Sequence, residues 1–151
     1  MEQPLNFFQS TDRIATSGQP GRAQFAEIAG LGYRAVVNLA MTNSDHAIAD
    51  EGAIVTGLGM NYFHVPVPFD HPGKEHLRTF IGVMRTLRGE KVWVHCVVNA
   101  RVSAFMYHYL RWELGYDEER ATSPILRGWR QQMAPVWQTF LEIKRIEIDD
   151  V

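Results

Sequence analysis

Apolar residues along this chain recur with two periods that take turns. Arg13-Ile14-Ala15-Thr16 reads as a short strand, and Ser17-Gly18-Gln19-Pro20-Gly21 reads as a turn into a helix. In that helix Phe25, Ile28 and Ala29 repeat at helical spacing until Gly30-Leu31-Gly32 ends it. Ala35-Val36-Val37-Asn38-Leu39 is a compact apolar run suited to a central strand. Ser44 and Asp45 can cap a following helix that carries Ile48, Val55 and Leu58 and stops at Gly59. Tyr62-Phe63-His64-Val65-Pro66-Val67 is the next strand, and prolines at 66 and 68 place its end at a sheet edge or exit loop.

Phe69-Asp70-His71-Pro72-Gly73 follows as a rigid loop. Leu77, Phe80, Ile81, Met84 and Leu87 then form a helical stripe closed by Gly89, and Lys91-Val92-Trp93-Val94 is a strand. From Arg101 to Leu114, the residues Val102, Phe105, Met106, Tyr109, Leu110 and Leu114 wrap most of a helix, which marks it as buried; Gly115 stops it. Asp117 can cap Glu118 to Ala121, Ser123-Pro124 starts another segment, and Pro135 through Ile143 makes the last helix. Strand and helix alternate, so the expected fold is α/β, a largely parallel central sheet with helices on both faces. In such sheets ligands bind beyond the carboxyl ends of the strands. The Cys96 loop, the Asp70 loop and the turn after Leu39 share that place.

Bulk properties narrow the function classes. The 151 residues, 46% hydrophobic and 21% charged, suit one domain spanning 1–151 with its own core. Fifteen basic against 17 acidic residues give a net charge of -2, so the balance points to no nucleic-acid or membrane-surface partner, and any anion site must be local. The opening Met1-Glu2-Gln3-Pro4 lacks the basic and apolar regions of a signal peptide, and no apolar run approaches the ~20 residues of a spanning helix. A lone cysteine forbids an internal disulfide and suits a reducing compartment, which makes the cytoplasm the expected location. The sequence leaves the oligomeric state open.

That cysteine, Cys96, stands in Val92-Trp93-Val94-His95-Cys96-Val97-Val98-Asn99-Ala100-Arg101-Val102-Ser103, where an apolar strand runs through a short loop into an apolar helix. Helix-start N–H groups and a nearby guanidinium both favour a thiolate and also bind an oxyanion such as phosphate. The plain alternative is a small buried hydrophobe at a strand end. For Arg101 the plain alternative is a surface ion pair, although a cation at a helix start opposes the helix dipole unless an anion lies beside it. His64, His71 and His76 with Asp70 span strand, loop and helix without a His-Glu-x-x-His pattern, so no metal is expected. Arg127 and Arg130 beside Trp129 can line a pocket or simply be solvated helix charges.

These residues resemble a known family. His95-Cys96 after an apolar strand, the Arg-Val-Ser helix entry, Val65-Pro66-Val67 followed by an aspartate, and Ser17-Gly18-Gln19-Pro20 look like the compact cysteine-dependent protein tyrosine phosphatases. More narrowly they look like small bacterial dual-specificity-like phosphatases, one branch of which is fused to a β-lactamase-like hydrolase. The similarity covers roughly residues 10 to 120. It implies a phosphatase-like fold and phosphomonoester hydrolysis through a phosphocysteine, with no metal or organic cofactor. Cys96 would be the nucleophile, Arg101 the phosphate clamp and Asp70 the general acid, with His71 a lesser candidate for the same proton. Val97, Val98, Asn99 and Ala100 would cradle the phosphate. His95 would support the loop, and Ser103 would donate to the thiolate or be an ordinary first-turn serine. The partners implied are a phosphorylated substrate, or inorganic phosphate or sulfate.

The family loop has five residues between cysteine and arginine, whereas four lie between Cys96 and Arg101 here. With a one-residue deletion, Arg101 is the phosphate-binding arginine. Without a gap, Asn99 replaces the family glycine, which suits a left-handed conformation, Val102 takes the arginine place and Ser103 the hydroxyl place. Two other functions therefore stand beside hydrolysis. One is an anion-binding module that has lost catalysis. The other is a rhodanese-like sulfurtransferase, whose active-site loop has this length.

Overall fold

A computed structural model describes residues 2–149. Met1, Asp150 and Val151, the ends of the expected domain span, lie outside the described residues. The elements run β1 (Phe8–Gln9), β2 (Ile14–Ser17), α1 (Arg22–Gly30), β3 (Ala35–Asn38), α2 (Glu51–Gly57), β4 (Asn61–His64), α3 (Lys74–Thr86), β5 (Val92–His95), α4 (Ala100–Leu114), α5 (Glu118–Ala121), α6 (Pro124–Arg130), α7 (Pro135–Leu141) and α8 (Arg145–Ile148). The sheet order is β1-β2-β5-β3-β4, parallel throughout except for the antiparallel β1·β2 pair.

Period-two alternation divides the strand side chains between two cores. Ile14, Ala35, Val37, Val92 and Val94 face one side, where Phe80 and Met84 of α3 and Val102, Phe105 and Met106 of α4 cover them. Ala15, Val36 and Trp93 face the other, against Phe25 and Ile28 of α1 and Val55 of α2. The fold is thus mixed α/β with helices on both faces, as the pattern predicts. Trp93 is the keystone of the second core. Phe7 and Tyr33 pack on its ring at 5.5 and 5.2 Å, and its indole N–H donates to Ser17 Oγ at 2.9 Å.

Several element boundaries differ from expectation for local reasons. The second helix starts at Glu51 rather than after Ser44-Asp45, because residues 41–47 fold into two consecutive tight turns, Ser44 N–H to Met41 O and Ala47 N–H to Ser44 O. The strand expected over 62–67 ends at His64, since Pro66 and Pro68 supply no donor to a ladder. β1 was too short to show a period, and the last helix ends at Leu141 with a separate turn, α8, after it. Asp117 and Ser123 do cap their helices, accepting from Arg120 N–H and Leu126 N–H.

Candidate active site

The last residues of the four parallel strands stand in one register row, Ser17, His95, Asn38 and His64. All four are polar at the carboxyl rim of an otherwise apolar sheet, and each is tied into the loops above it. Ser17 Oγ donates to Gly18 O at 2.6 Å. Asn38 receives Ala40 N–H on its Oδ1, and His64 Nε2 meets Ala40 O at 2.7 Å. The rim thereby fixes where the three crossover loops begin.

The Cys96 loop leaves the centre of this row. Its carbonyls are held from outside: Gln19 N–H donates to Val97 O at 2.9 Å, and Asn6 Nδ2 donates to Val98 O at 2.9 Å. In a trans peptide N–H and C=O point oppositely, so the Val98 and Asn99 N–H groups turn away from those anchors. Among the described residues, none of the N–H groups of Val97, Val98, Asn99 and Ala100 donates to a backbone carbonyl. The Ser17-Gly18-Gln19-Pro20 motif now has its reason. A Cβ on Gly18 would lie 2.3 Å from Val97 O, so only glycine lets this turn brace the loop.

Asn99 is left-handed, with φ 72°, and begins α4. Its Nδ2 donates to Asn6 O at 2.8 Å and to Thr16 Oγ1 at 3.2 Å, which locks the turn to the sheet. Helix α4 then points its N-terminus at the loop.

Arg101 and Val102, the two positions the residue count left as alternatives, have different surroundings. Val102 is wholly buried in the core, while Arg101, 5% exposed, lines the same cavity as Cys96. Its Nη1 donates to Val67 O at 2.8 Å, and its guanidinium sits 5.6 Å from the centre of the Phe69 ring. Among the described residues no carboxylate pairs with it. One bond occupies one of five guanidinium donors. A buried, unpaired cation beside a helix N-terminus is unfavourable without an anion, so the cavity is electrostatically built for one.

That cavity, of about 380 Å³, is lined by Met41, Asn43, Ser44, Asp45, Phe69, Val97, Val98 and Ala100 as well as Cys96 and Arg101. Phe69 and Val98 form an exposed apolar rim. Asp70 and His71 are exposed on the neighbouring loop and do not line it. Ser103 donates to Ala100 O at 2.6 Å, a first-turn back-bond, and records no bond to the thiol. The described residues hold no group of three or more His, Cys, Asp or Glu that could bind a metal ion, His64, His71 and His76 included.

Beneath the loop lies a pair that the sequence did not single out. Buried His95 places Nε2 2.6 Å from Glu51 Oε2 and Nδ1 3.1 Å from Cys96 O. Glu51 Oε1 accepts from Gln19 Nε2 at 2.8 Å, so one carboxylate ties the end of β5 to the Gln19 turn that holds Val97 O. Burial pushes the Glu51 carboxyl up, but His95, Gln19 and Tyr62 together hold it below the usual carboxylate range. Tyr62, half-buried beside that carboxylate, is pushed up to about 12, chiefly by burial. In the sequence Glu51 is an ordinary first-turn glutamate, and only the α2 packing brings it to His95.

A thiol before a helix N-terminus, a cradle of N–H groups without backbone acceptors and an arginine without a carboxylate partner thus meet around one cavity. A putative phosphatase (DUF442) from Shewanella putrefaciens CN-32 is 30% identical, with 92% of this chain and 90% of that chain covered and a TM-score of 0.82. This chain belongs to that DUF442 phosphatase family. At the level of fold it is also similar to Tk-PTP in the active form, at 21% identity, coverage of 95% and 96%, and TM-score 0.71. The core catalytic domain of the PP-IP phosphatase SIW14 from S. cerevisiae, in complex with citrate, shares the fold at 14% identity, coverage of 93% and 85%, and TM-score 0.72. No protein-family model and no curated protein matches the chain.

Proposed function

We propose that this protein hydrolyses phosphomonoesters through a phosphocysteine on Cys96. The observation that supports this most strongly is Arg101, buried, without a carboxylate partner, and lining the cavity that holds the thiol. The Sγ thiolate attacks phosphorus, the S–P bond forms and the P–O ester bond breaks. Arg101 and the N–H groups of Val97, Val98, Asn99 and Ala100 hold the equatorial oxygens, where charge spreads in the transition state. The leaving oxygen takes a proton from a carboxylic acid. Asp70 and Asp45 are the carboxylates on the two loops beside the thiol. Water then attacks phosphorus, the S–P bond breaks, and phosphate leaves as the carboxylate recovers a proton. His95 supports the loop from below.

Family membership favours this chemistry over the sulfurtransferase that the loop length also allows. Its partners are phosphorylated substrates, with inorganic phosphate or sulfate as product and mimic. No metal or organic cofactor enters the steps above. The described residues contain no helix long and apolar enough to cross a membrane, and the single thiol suits a reducing location, the cytoplasm. A panel of aryl, nucleotide and sugar phosphates tests the reading, with Cys96→Ser beside the wild type. Steady release of phosphate that Cys96→Ser abolishes is the expected result. Phosphate stabilising a fully folded protein that turns nothing over would instead identify an anion-binding module.

A further inference from the structure

We infer that Asn6, in the turn before β1, is a positioning residue of the Cys96 loop, which aims the Asn99 N–H at the transferred phosphoryl group. This role rests on the phosphatase reading and extends the site to a segment 92 positions away from the carbonyl it holds.

The turn is fixed on both sides of Asn6. Phe7 N–H closes it onto Pro4 O at 3.2 Å, with Pro4 buried, and Asn6 takes its second central position with φ 54°. Asparagine and glycine accept that left-handed conformation most readily. On the far side the Phe7 ring packs on Trp93 at 5.5 Å, and Phe8 pairs with Thr16 of β2. On the near side Leu5 O accepts from Gly18 N–H at 2.7 Å, beside the Gln19 N–H that holds Val97 O.

From this frame Asn6 grips the loop twice. Its Nδ2 donates to Val98 O at 2.9 Å, and its main-chain O accepts from Asn99 Nδ2 at 2.8 Å. One residue thereby fixes the Val98–Asn99 peptide through its carbonyl and through the side chain that follows. A peptide whose carbonyl is tied outward presents its N–H to the other side, and Asn99 N–H has no acceptor among the described residues. Cys96 O and Val97 O have their own anchors, at His95 Nδ1 and Gln19 N–H, whereas Val98 O has no other donor than Asn6 among the described residues. Asn6 is exposed, so water competes for its hydrogen bonds and they add little to stability. A misaimed oxyanion donor is felt in the rate instead, because it stabilises charge that develops only in the transition state.

Two variants isolate this role. Asn6→Gly keeps the left-handed turn and the main-chain acceptor for Asn99, and removes only the donor to Val98 O. Asn6→Asp keeps the size and sets an anionic acceptor against that carbonyl. Each is compared with wild type in p-nitrophenyl phosphate turnover, in binding of orthovanadate, which mimics the five-coordinate transition state, in binding of inorganic phosphate, and in thermal melts. The expected result is a kcat lower by about tenfold or more in Asn6→Gly and lower still in Asn6→Asp, with vanadate affinity falling alongside and phosphate affinity changing less than about threefold. Melting temperatures should stay close to wild type. Folded variants whose kcat and vanadate affinity lie within about twofold of wild type would overturn the role. Equal losses for phosphate and vanadate, or loss of the fold in both variants, would overturn it too, since Asn6 would then serve ground-state binding or the fold alone. A wild type that turns nothing over would overturn the phosphatase reading, a separate failure, and the vanadate and phosphate measurements would still decide whether Asn6 aims the loop.

Discussion

At position 99 the chain needs a residue that accepts a φ of 72° and also reaches two acceptors across the loop. Glycine meets the first need and alanine neither, while asparagine meets both. Asn99→Ala should therefore destabilise the fold by about 2 kcal/mol, adding left-handed strain to lost hydrogen bonds, and Asn99→Gly by about 1 kcal/mol. Denaturant unfolding checks the order, and an Asn99→Ala as stable as wild type would contradict it. At position 101 the fork matters as well as the charge. Arg101→Lys should weaken inorganic phosphate binding at least tenfold, about 1.4 kcal/mol, as measured by calorimetry. At this scale the sequence was informative on chemistry and ambiguous on direction. The types and order of Cys96, Asn99 and Arg101 signalled an anion loop, and asparagine's tolerance of positive φ was readable. Which of residues 101 and 102 faces the cavity depends on how the loop closes, and that is set by Gln19 and Asn6, far away in the chain.

Elements with strong periodicity, α3, α4 and the central strands, were legible because burial on one or both faces writes itself into residue spacing. The segment between β3 and α2 was not. Ser44 and Asp45 carry the right residue types for a helix cap, yet tight turns use the same types, and only the rim contacts at Asn38 and His64 decide between them. The Glu51–His95 pair was invisible for a related reason, since it joins the start of α2 to the end of β5 through tertiary packing alone. Removing one partner leaves the other buried and uncompensated. Glu51→Ala should cost about 3 kcal/mol, and Glu51→Ala with His95→Asn should cost clearly less than the two single changes summed. A double-mutant cycle by chemical denaturation measures this. Additive losses would show that the pair is not coupled.

The molecule as a whole is organised by α4, which begins at the Cys96 loop, is buried from Ala100 to Leu110 and surfaces at Leu114. In its buried stretch His108 stacks on Trp112 at 4.3 Å and donates to Phe140 O at 2.8 Å through Nε2. Burial pushes its imidazole down to about 4 from an ordinary 6.5. Between those values the unfolded chain binds the proton and the folded one does not, so stability falls as pH falls from 6.5 toward 4. This one group accounts for about 3 kcal/mol across that window. His108→Gln keeps a donor for Phe140 O and should flatten the upper part of the curve. Glu51 and Glu113, both held below the usual carboxylate range, act lower down. For Glu113 the chief cause is the hydrogen bond from Arg85, and for both groups stability is lost as pH falls below the ordinary glutamate range. Thermal melts at stepped pH separate the two contributions, and a wild type whose stability rises on acidification from 6.5 would contradict the sign.

Catalysis by this molecule, as proposed, turns on whether phosphorus becomes bonded to Cys96. Acid-quenching the enzyme during turnover of an aryl phosphate and locating phosphate by mass spectrometry of the peptides answers this directly. The structure leads us to expect a phosphoryl group on Cys96 in wild type, and neither label nor turnover in Cys96→Ser. Phosphoester turnover that leaves Cys96 unmodified, or that survives its replacement by serine, would contradict the account.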